Sequence, residues 1–480
     1  MKNLKWKKAG SAVLATALAG SMVLPATAYA QGEIVQLEGG TSTQTNTAPE
    51  QVFLNKYSGT VRTQNFNDNW KFYLGDASGA QTPAFDDSSW DQVNLPHDYS
   101  IDQKYNRSMD GESGYLPGGT GWYRKSFTVD KSLEGKRISI DFGGVYMNAT
   151  IYVNGKKLGT HPYGYTPFSF DITDNVKFGK ENVIAVKVDH QTPSSRFYSG
   201  SGIYRDVDFV VTDTVHVDKN GTKIETPDLK EHVDGNNVAV KVKTTVVNES
   251  ERDASVKVKH TIYPKNGTAE QAVATFESQE AVAVEKGKSK DVSADFTASG
   301  VQLWSTTTPN LYTVKTEVLM DGATVDTYET DYGFRYFAFD KNNGFTLNGQ
   351  KMKLQGVCMH HDQGALGSVA NDRSTERQVE ILKMMGCNSI RVTHNPASDE
   401  LIDACNKHGI LVIDEAFDGW VAPKNGNSND YAKWFNKEIE SDNEIMGAAD
   451  NMTWAQFDLT AMIERGQNDP AIIMWSLGNE

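Results

Sequence analysis

The chain has 480 residues, which at ~150 residues per domain predicts about three domains. Its 47 Lys+Arg against 62 Asp+Glu give a formal net charge of −15, the opposite of the basic footprint of a general nucleic-acid binder. With 38% hydrophobic and 10% aromatic residues it can build real cores, which excludes wholesale disorder, and only three cysteines exclude a disulfide scaffold.

Taken in chain order, the first feature is an address. Lys2, Lys5, Lys7 and Lys8 precede an apolar stretch from Ala9 to Leu24, and Ala28-Tyr29-Ala30 frames a cut before Gln31. Residues 1–30 read as an export signal rather than a membrane anchor. No later segment offers the ~18 uninterrupted apolar residues that a spanning helix needs, so no membrane span is expected once the signal is removed. Residues 31–55 are polar and rich in Gln, Thr and Gly, and read as a disordered leader.

Residues 56–213 carry short alternating strands, among them ISIDFGGV, ATIYVNGKKLGTH and ENVIAVKVDH, with no long helical period. Asn154-Gly155 between IYV and KKL predicts a two-residue hairpin turn. The block reads as an all-β sandwich. Residues 214–333 alternate again (VAVKVKTTVVN, ASVKVKHTIYP, LYTVKTEVLMDG) and read as an immunoglobulin-like sandwich.

From about residue 334 strands and helices alternate. MKLQGVCMHH, NSIRVTHN, ILVIDEAF and AIIMWSLGNE are predicted strands. RSTERQVEILKMMG, SDELIDACNKHG and TWAQFDLTAMIERG are predicted helices, the second with Ser398 as N-cap and Gly409 as stop. Near-continuous apolar strands separated by helices predict a parallel sheet. No glycine-rich phosphate loop follows any strand, so a (β/α)8 TIM barrel is favoured over a doubly wound sheet. Four of eight strands would then be present, and the rest are expected beyond residue 480. Cys358, Cys387 and Cys405 read as free core thiols.

The predicted strands end in polar residues. Glu480 follows an apolar strand, and Trp475 and Leu477 are expected to give it a dry pocket mouth, where a carboxyl pKa rises as a general acid requires. Asn479 beside it can hydrogen-bond a substrate hydroxyl. Arg391 and His394 close the second strand and suit a carboxylate and a sugar hydroxyl, although an isolated His is more often a loop cap. His360-His361-Asp362 closes the first strand. Adjacent strand residues point to opposite faces, which weakens a zinc reading. Asp414 and Glu415 close the third; one reads as an ion-pair partner and neither is assigned catalysis. Four polar strand ends around one mouth describe a pocket that reads a polyhydroxylated ligand and donates a proton. Glycoside hydrolysis needs such an acid and a second carboxylate, and only Glu480 is a convincing candidate here.

These features bring in a resemblance. FDDSSWDQVNLPHDYS (85–100), GTGWYRKSF (119–127), SGSGIYRDV (199–207), LQGVCMHHDQGALG (354–367), NSIRVTHNPASDELIDACNKHGILVIDEAFDGW (388–420) and PAIIMWSLGNE (470–480) resemble, in order, the β-galactosidases of glycoside hydrolase family 2. The resemblance implies a jelly-roll sugar-binding domain, an immunoglobulin-like domain and the first strands of a TIM barrel. It implies a retaining enzyme acting on terminal β-galactose, with Glu480 as acid/base and a nucleophilic Glu on a seventh strand outside this chain. By the same matching His360 and His394 contact the sugar, Arg391 orients the nucleophile, Asp98 reaches the barrel mouth, and Arg196 stands where some members place a sugar-contacting Asp. The Glu and His that hold Mg²⁺ in some members are not matched by DEAFDGW, so no metal or other cofactor is expected. The wording HHDQGALG resembles exported Gram-positive members, implying a secreted or cell-surface protein; a homo-oligomer formed through regions outside the chain is left open. The alternatives are a β-glucuronidase or β-mannosidase of the same architecture, and a non-catalytic carbohydrate-binding or adhesion protein.

Overall fold

The computed structural model describes residues 61–479 together with the backbone of Gln51–Phe53. The expected export signal, the leader apart from those three residues, and the candidate acid Glu480 lie outside the described residues. Within the expected leader, Gln51–Phe53 is a strand, paired in parallel with Phe127–Val129. The unsatisfied edge of a long strand offers backbone partners that polar composition alone does not reveal.

The first sandwich packs a sheet of seven strands on one of four. Two long strands at its centre, Gly119–Val129 and Glu181–His190, are antiparallel. The second sheet runs Phe168–Asp171, Arg137–Phe142, Val207–Thr212, Thr63–Asn65. Between the sheets Phe66 meets Trp70 and Phe127 edge-to-face at 5.6 and 5.3 Å between ring centroids, the geometry that aromatic quadrupoles favour. The predicted hairpin forms. Val153 pairs with Lys156, and Asn154 and Gly155 take φ of 49° and 88°, the two positive values a type I′ turn demands.

The second sandwich packs three strands, Val215–Glu225, Val238–Asn248 and Lys288–Ala298, on a sheet of five built around Ala254–Pro264 and Tyr312–Met320. Arg62 locks it to the first. Its Nε and Nη2 donate to the fully buried Asp326 carboxylate at 3.0 and 2.8 Å.

The last segment is a four-stranded parallel sheet in sequence order: Gly356–Met359, Ser389–Val392, Leu411–Glu415 and Ile472–Ser476. Three helices connect them, α1 (Asp372–Met384), α2 (Asp399–His408) and α3 (Trp454–Gly466). Ser398 caps α2 by accepting from the Leu401 N–H, and Gly409 ends it with φ 70°. A parallel sheet crossed by helices, after two sandwiches, is the architecture expected.

Three expectations fail in detail. MKLQGVCMHH is strand only over Gly356–Met359. Just before it, Asn348-Gly349 turns a hairpin that takes Gln350–Lys351 antiparallel to Thr346–Leu347, and the chain joins the parallel sheet only at Gly356. The strands are not buried on both faces. Ile390, Val412 and Ile472 pack under the helices with Val379, Leu401 and Cys405, whereas Cys358, Arg391, Ile413 and Met474 are paired across the other face. No described residue covers that face, so Cys358 is exposed; Cys387, in the turn after α1, is half-buried, and only Cys405 is a core thiol. On the last strand Trp475, beside α3, is 38% exposed and Leu477 is 64% exposed, so they are not the walls of a dry pocket.

The first sandwich and the barrel segment share one core. Tyr163, Phe168 and Phe170 cluster with Phe417, Tyr431, Trp454 and Phe457. At its centre Asp458 of α3 receives His161 Nε2 at 2.8 Å and the hydroxyls of Thr166 and Tyr431. From the second sandwich, Arg335 donates to the Pro470 and Ile472 carbonyls at 3.0 and 2.7 Å, fixing the start of the fourth parallel strand. No helix among the described residues is long and apolar enough to cross a membrane.

Candidate active site

Period-two alternation decides which strand-end side chains reach the mouth. Asp414 turns outward to Arg465 of α3, whose Nη2 lies 2.8 Å away, and to the Ala397 N–H at 2.9 Å. Burial pushes its pKa up. Glu415 turns inward and is fully buried. Its Oε2 accepts from Arg391 Nε and Nη2 at 3.0 and 2.7 Å and from Ser476 Oγ at 2.8 Å; its Oε1 lies 2.6 Å from His394 Nδ1. Both members of the Asp414-Glu415 pair therefore make ion pairs, one on each face.

A carboxylate oxygen accepts, so in this contact His394 Nδ1 is the donor. Arg391 Nη2 also donates to Asn479 Oδ1 at 3.2 Å. Its hydrogen bond to Glu415 holds the guanidinium pKa above the ordinary value. Asn479 Nδ2 in turn donates to Asp418 at 3.2 Å, and its backbone N–H to the Phe417 carbonyl at 2.9 Å. A cation on its oxygen and an anion on its nitrogen fix the amide's orientation.

The first sandwich supplies the facing wall. Arg196 donates twice through Nε, at 2.9 and 3.1 Å, and once through Nη2, at 2.9 Å, to Asp418. Phe197 packs 4.7 Å from the His360 ring, which stands perpendicular to His394 at 5.7 Å. Partial burial first, then the neighbouring His394, lowers the His360 pKa, favouring a neutral ring. His361 points away, as adjacent strand-end residues should. It is buried, its Nε2 donates to the Ser199 carbonyl at 3.1 Å, and burial pushes its pKa down to about 4. Beside His394, Phe197 and Asp418 a small cleft runs between sandwich and barrel. A second cleft, lined by Arg62, Arg137 and Asp218, holds none of the residues selected from the sequence.

The structure thus brings Arg391, His394, His360, Asn479 and Arg196 together, with Glu480 covalently next to Asn479 but outside the described residues. Asp98 stands apart from them. It is 1% exposed, and its carboxylate accepts the N–H groups of Ser100, Ser201 and Ser368, all at 2.9 Å, the Tyr198 hydroxyl at 2.6 Å and Ser368 Oγ at 3.0 Å. It joins the sandwich to the loop after the first barrel strand. Glu415 was read from the sequence as a polar strand end at the mouth but given no catalytic role; Asp418, Ser476 and Phe197 were not singled out as site residues. The DEAFDGW wording was a signal for the first two; nothing in the sequence marked the others. Among the described residues one group sets three metal-type ligands within 4.8 Å, Glu376, Glu380 and His408. It lies away from the mouth, and Arg373 and Lys407 already pair with its carboxylates at 2.8–3.1 and 2.6 Å.

Comparison with known proteins gives a consistent result. Residues 63–213 match the family model described as the sugar binding domain of glycosyl hydrolases family 2, residues 222–335 match glycosyl hydrolases family 2, and residues 340–480 match that family's TIM barrel domain. The chain is 42% identical over 418 residues to β-galactosidase BoGH2A of Bacteroides ovatus, covering 86% of this chain and 46% of that protein. It is 36% identical over 421 residues to a putative β-glucuronidase of Formosa agariphila, covering 87% and 37%. A solved glycosyl hydrolase family 2 member from Bacteroides cellulosilyticus superposes with TM-score 0.80 at 39% identity, covering 88% of this chain and 52% of that one. Bacteroides uniformis β-glucuronidase does so with TM-score 0.70 at 31% identity, covering 86% and 46%. The chain spans about half the length, or less, of these relatives.

Proposed function

The chain belongs to glycosyl hydrolase family 2, and from that premise we propose that it serves a retaining glycosidase that releases terminal, non-reducing β-D-galactose from oligosaccharides or glycans. Glu480 is the acid/base in this reading: it protonates the glycosidic oxygen and later activates water. A glutamate on a barrel strand outside this chain attacks the anomeric carbon, about 5–5.5 Å from the acid as retention requires. Asn479, His394 and His360 bind sugar hydroxyls. No step is assigned to a metal, and export rests on residues 1–30.

The observation that carries the proposal is the buried Glu415. It holds Arg391 and His394 by direct bonds, and Arg391 holds Asn479. Two hydroxyl-reading groups, His394 and Asn479, are therefore preset together with Arg391 before a sugar arrives, and preorganised donors are what transition-state binding needs. The same pairing supports galactose over a uronate. Arg391 and Arg196, the guanidinium groups at this mouth among the described residues, are each bonded to a carboxylate. A sugar carboxylate would have to compete with Glu415 or Asp418 for either.

The test is hydrolysis of aryl β-galactoside, β-glucuronide and β-mannoside by the complete protein. The galactoside should be turned over with the highest kcat/KM. Faster cleavage of the glucuronide or mannoside would overturn the sugar assignment, and galactose binding without turnover of any of the three would make the protein a binding module.

A further inference from the structure

We propose that one water molecule is built into the protein behind the barrel mouth, held by Arg205, His361 and Asn395, and that it fixes the spacing of His360 and His394. The second half rests on the reading of those two imidazoles as sugar-binding; the first stands on geometry alone.

Arg205, His361 and Asn395 line one cavity of about 20 Å³ between the ends of the first two barrel strands and α2. That is room for one water, which needs ~10–15 Å³, but not for an organic ligand. Each of the three presents a buried polar atom with no partner among the described residues: Arg205 Nε, His361 Nδ1 and Asn395 Oδ1. The rest of each side chain is committed. Arg205 Nη1 donates to the Tyr165 carbonyl at 2.8 Å and Nη2 to the Pro396 carbonyl at 2.9 Å. His361 Nε2 donates to the Ser199 carbonyl at 3.1 Å, and Asn395 Nδ2 to the Pro396 carbonyl at 3.2 Å. Asn395 is 0% and Arg205 2% exposed, so bulk solvent does not reach their loose ends. A buried polar atom left without a partner costs its full desolvation penalty.

The kind of ligand follows from the donors and acceptors. Arg205 Nε–H is a donor and the Asn395 oxygen an acceptor. The Ser199 carbonyl holds the His361 proton on Nε2, and burial keeps that ring neutral. Its Nδ1 is therefore an acceptor too. Two acceptors turn away an anion, and the guanidinium turns away a cation. A water answers all three: it donates to Nδ1 and Oδ1 and accepts from Nε–H, within the two to four bonds usual for buried water. His360 Nδ1, also buried without a partner on this lining, gives or takes a fourth bond according to its tautomer.

His361 follows His360 at the end of the first strand, and Asn395 follows His394 after the second. One molecule bonded to both tethers two chain ends whose imidazoles stand 5.7 Å apart at the mouth. His361 and Asn395 are thus positioning residues that act through the water.

High-resolution crystal structures of the complete protein, alone and with galactose, should both show a single full-occupancy water within about 3.2 Å of all three atoms, with the ring spacing the same in each. A dry cavity, an ion in it, or a water lost when galactose binds overturns the proposal. Two variants test the tether through galactose affinity, read by calorimetry. Asn395→Leu removes one acceptor; His361→Gln removes the other while its amide keeps the bond to Ser199. Both should lose the water and bind galactose about ten-fold more weakly, a shift of about 1.4 kcal/mol. Should Asn395→Leu not fold, His361→Gln decides. A folded variant that keeps the water, or loses it and binds galactose as wild type does, overturns the positioning role. Wild-type protein that neither binds galactose nor cleaves a galactoside overturns the sugar assignment instead, and the density alone then judges the water.

Discussion

His394 Nδ1 stands 2.6 Å from Glu415 Oε1, and the opposite oxygen of the same carboxylate takes both donors of Arg391 on its side. One buried charge therefore orients an imidazole and a guanidinium that come from the end of the neighbouring strand. Glu415→Gln keeps the shape and removes the charge, setting an amide where donors converge. Loss of a carboxylate that orients a catalytic-site histidine costs up to ~10⁴-fold elsewhere; here kcat/KM should fall on the order of 10²-fold or more. Breaking a buried pair by removing one partner also costs about 3–5 kcal/mol, which urea unfolding of the variant will read. Wild-type kcat/KM in Glu415→Gln would show that the hub has no bearing on the site.

Asp98 offers a sharper contrast between two roles. The family resemblance places it at the barrel mouth; its five hydrogen bonds and 1% exposure place it in the seam. In Asp98→Asn, one face can no longer accept, so N–H or O–H donors of Tyr198, Ser201 or Ser368 lose partners. Each buried orphan costs about 1–3 kcal/mol, so the urea midpoint should drop by an amount of that order, with KM rising as the loop after His360 loosens. Unchanged stability with weakened galactose binding would make Asp98 a sugar contact.

What the sequence disclosed follows the range of the interactions. The Asn154-Gly155 turn and the Ser398 and Gly409 ends of α2 were legible because each is decided by a few neighbouring residues. Glu480, Asn479, His394 and Arg391 were legible as polar ends of apolar strands, together with the motifs around them. Glu415 and Asp418 could be read as acids but not placed, because their partners Arg391 and Arg196 lie 24 and 222 residues away in the chain. Burial was misread wherever it depended on a covering layer. Trp475, Leu477 and Cys358 have apolar character, yet the sheet face and edge they occupy are uncovered by any described residue.

Glu400 predicts a pH signature of stability. Burial raises its pKa to about 7, with Asp399 adding repulsion and Arg205 opposing it. A carboxyl whose folded pKa exceeds its unfolded value binds its proton more tightly when folded. Its contribution is therefore fully present below the unfolded pKa, near 4.5, and is lost as pH rises through about 7. Glu400→Gln removes that dependence. Relative to wild type the variant should gain stability between pH 5 and pH 8, by an amount on the order of 2 kcal/mol after allowing for solvent screening. Urea unfolding at the two pH values measures the difference, and an equal offset at both would contradict the raised pKa.

Glu480→Gln separates the two halves of the proposed reaction. The amide cannot donate a proton to a departing sugar oxygen, so cleavage of a disaccharide in the complete protein should fall by about 10²–10⁴-fold, the usual worth of general acid catalysis. A 2,4-dinitrophenyl galactoside needs no such help, because its phenolate leaves unprotonated, so its first step should run near the wild-type rate. The second step lacks its base as well, and the galactosyl-enzyme should accumulate. Rapid mixing should then show a burst of phenolate close to one equivalent per site, followed by slow turnover. Equal loss on both substrates without a burst, in a variant that unfolds like wild type, would remove Glu480 from the acid role and leave Asn479, held between Arg391 and Asp418, as a binding residue beside some other acid.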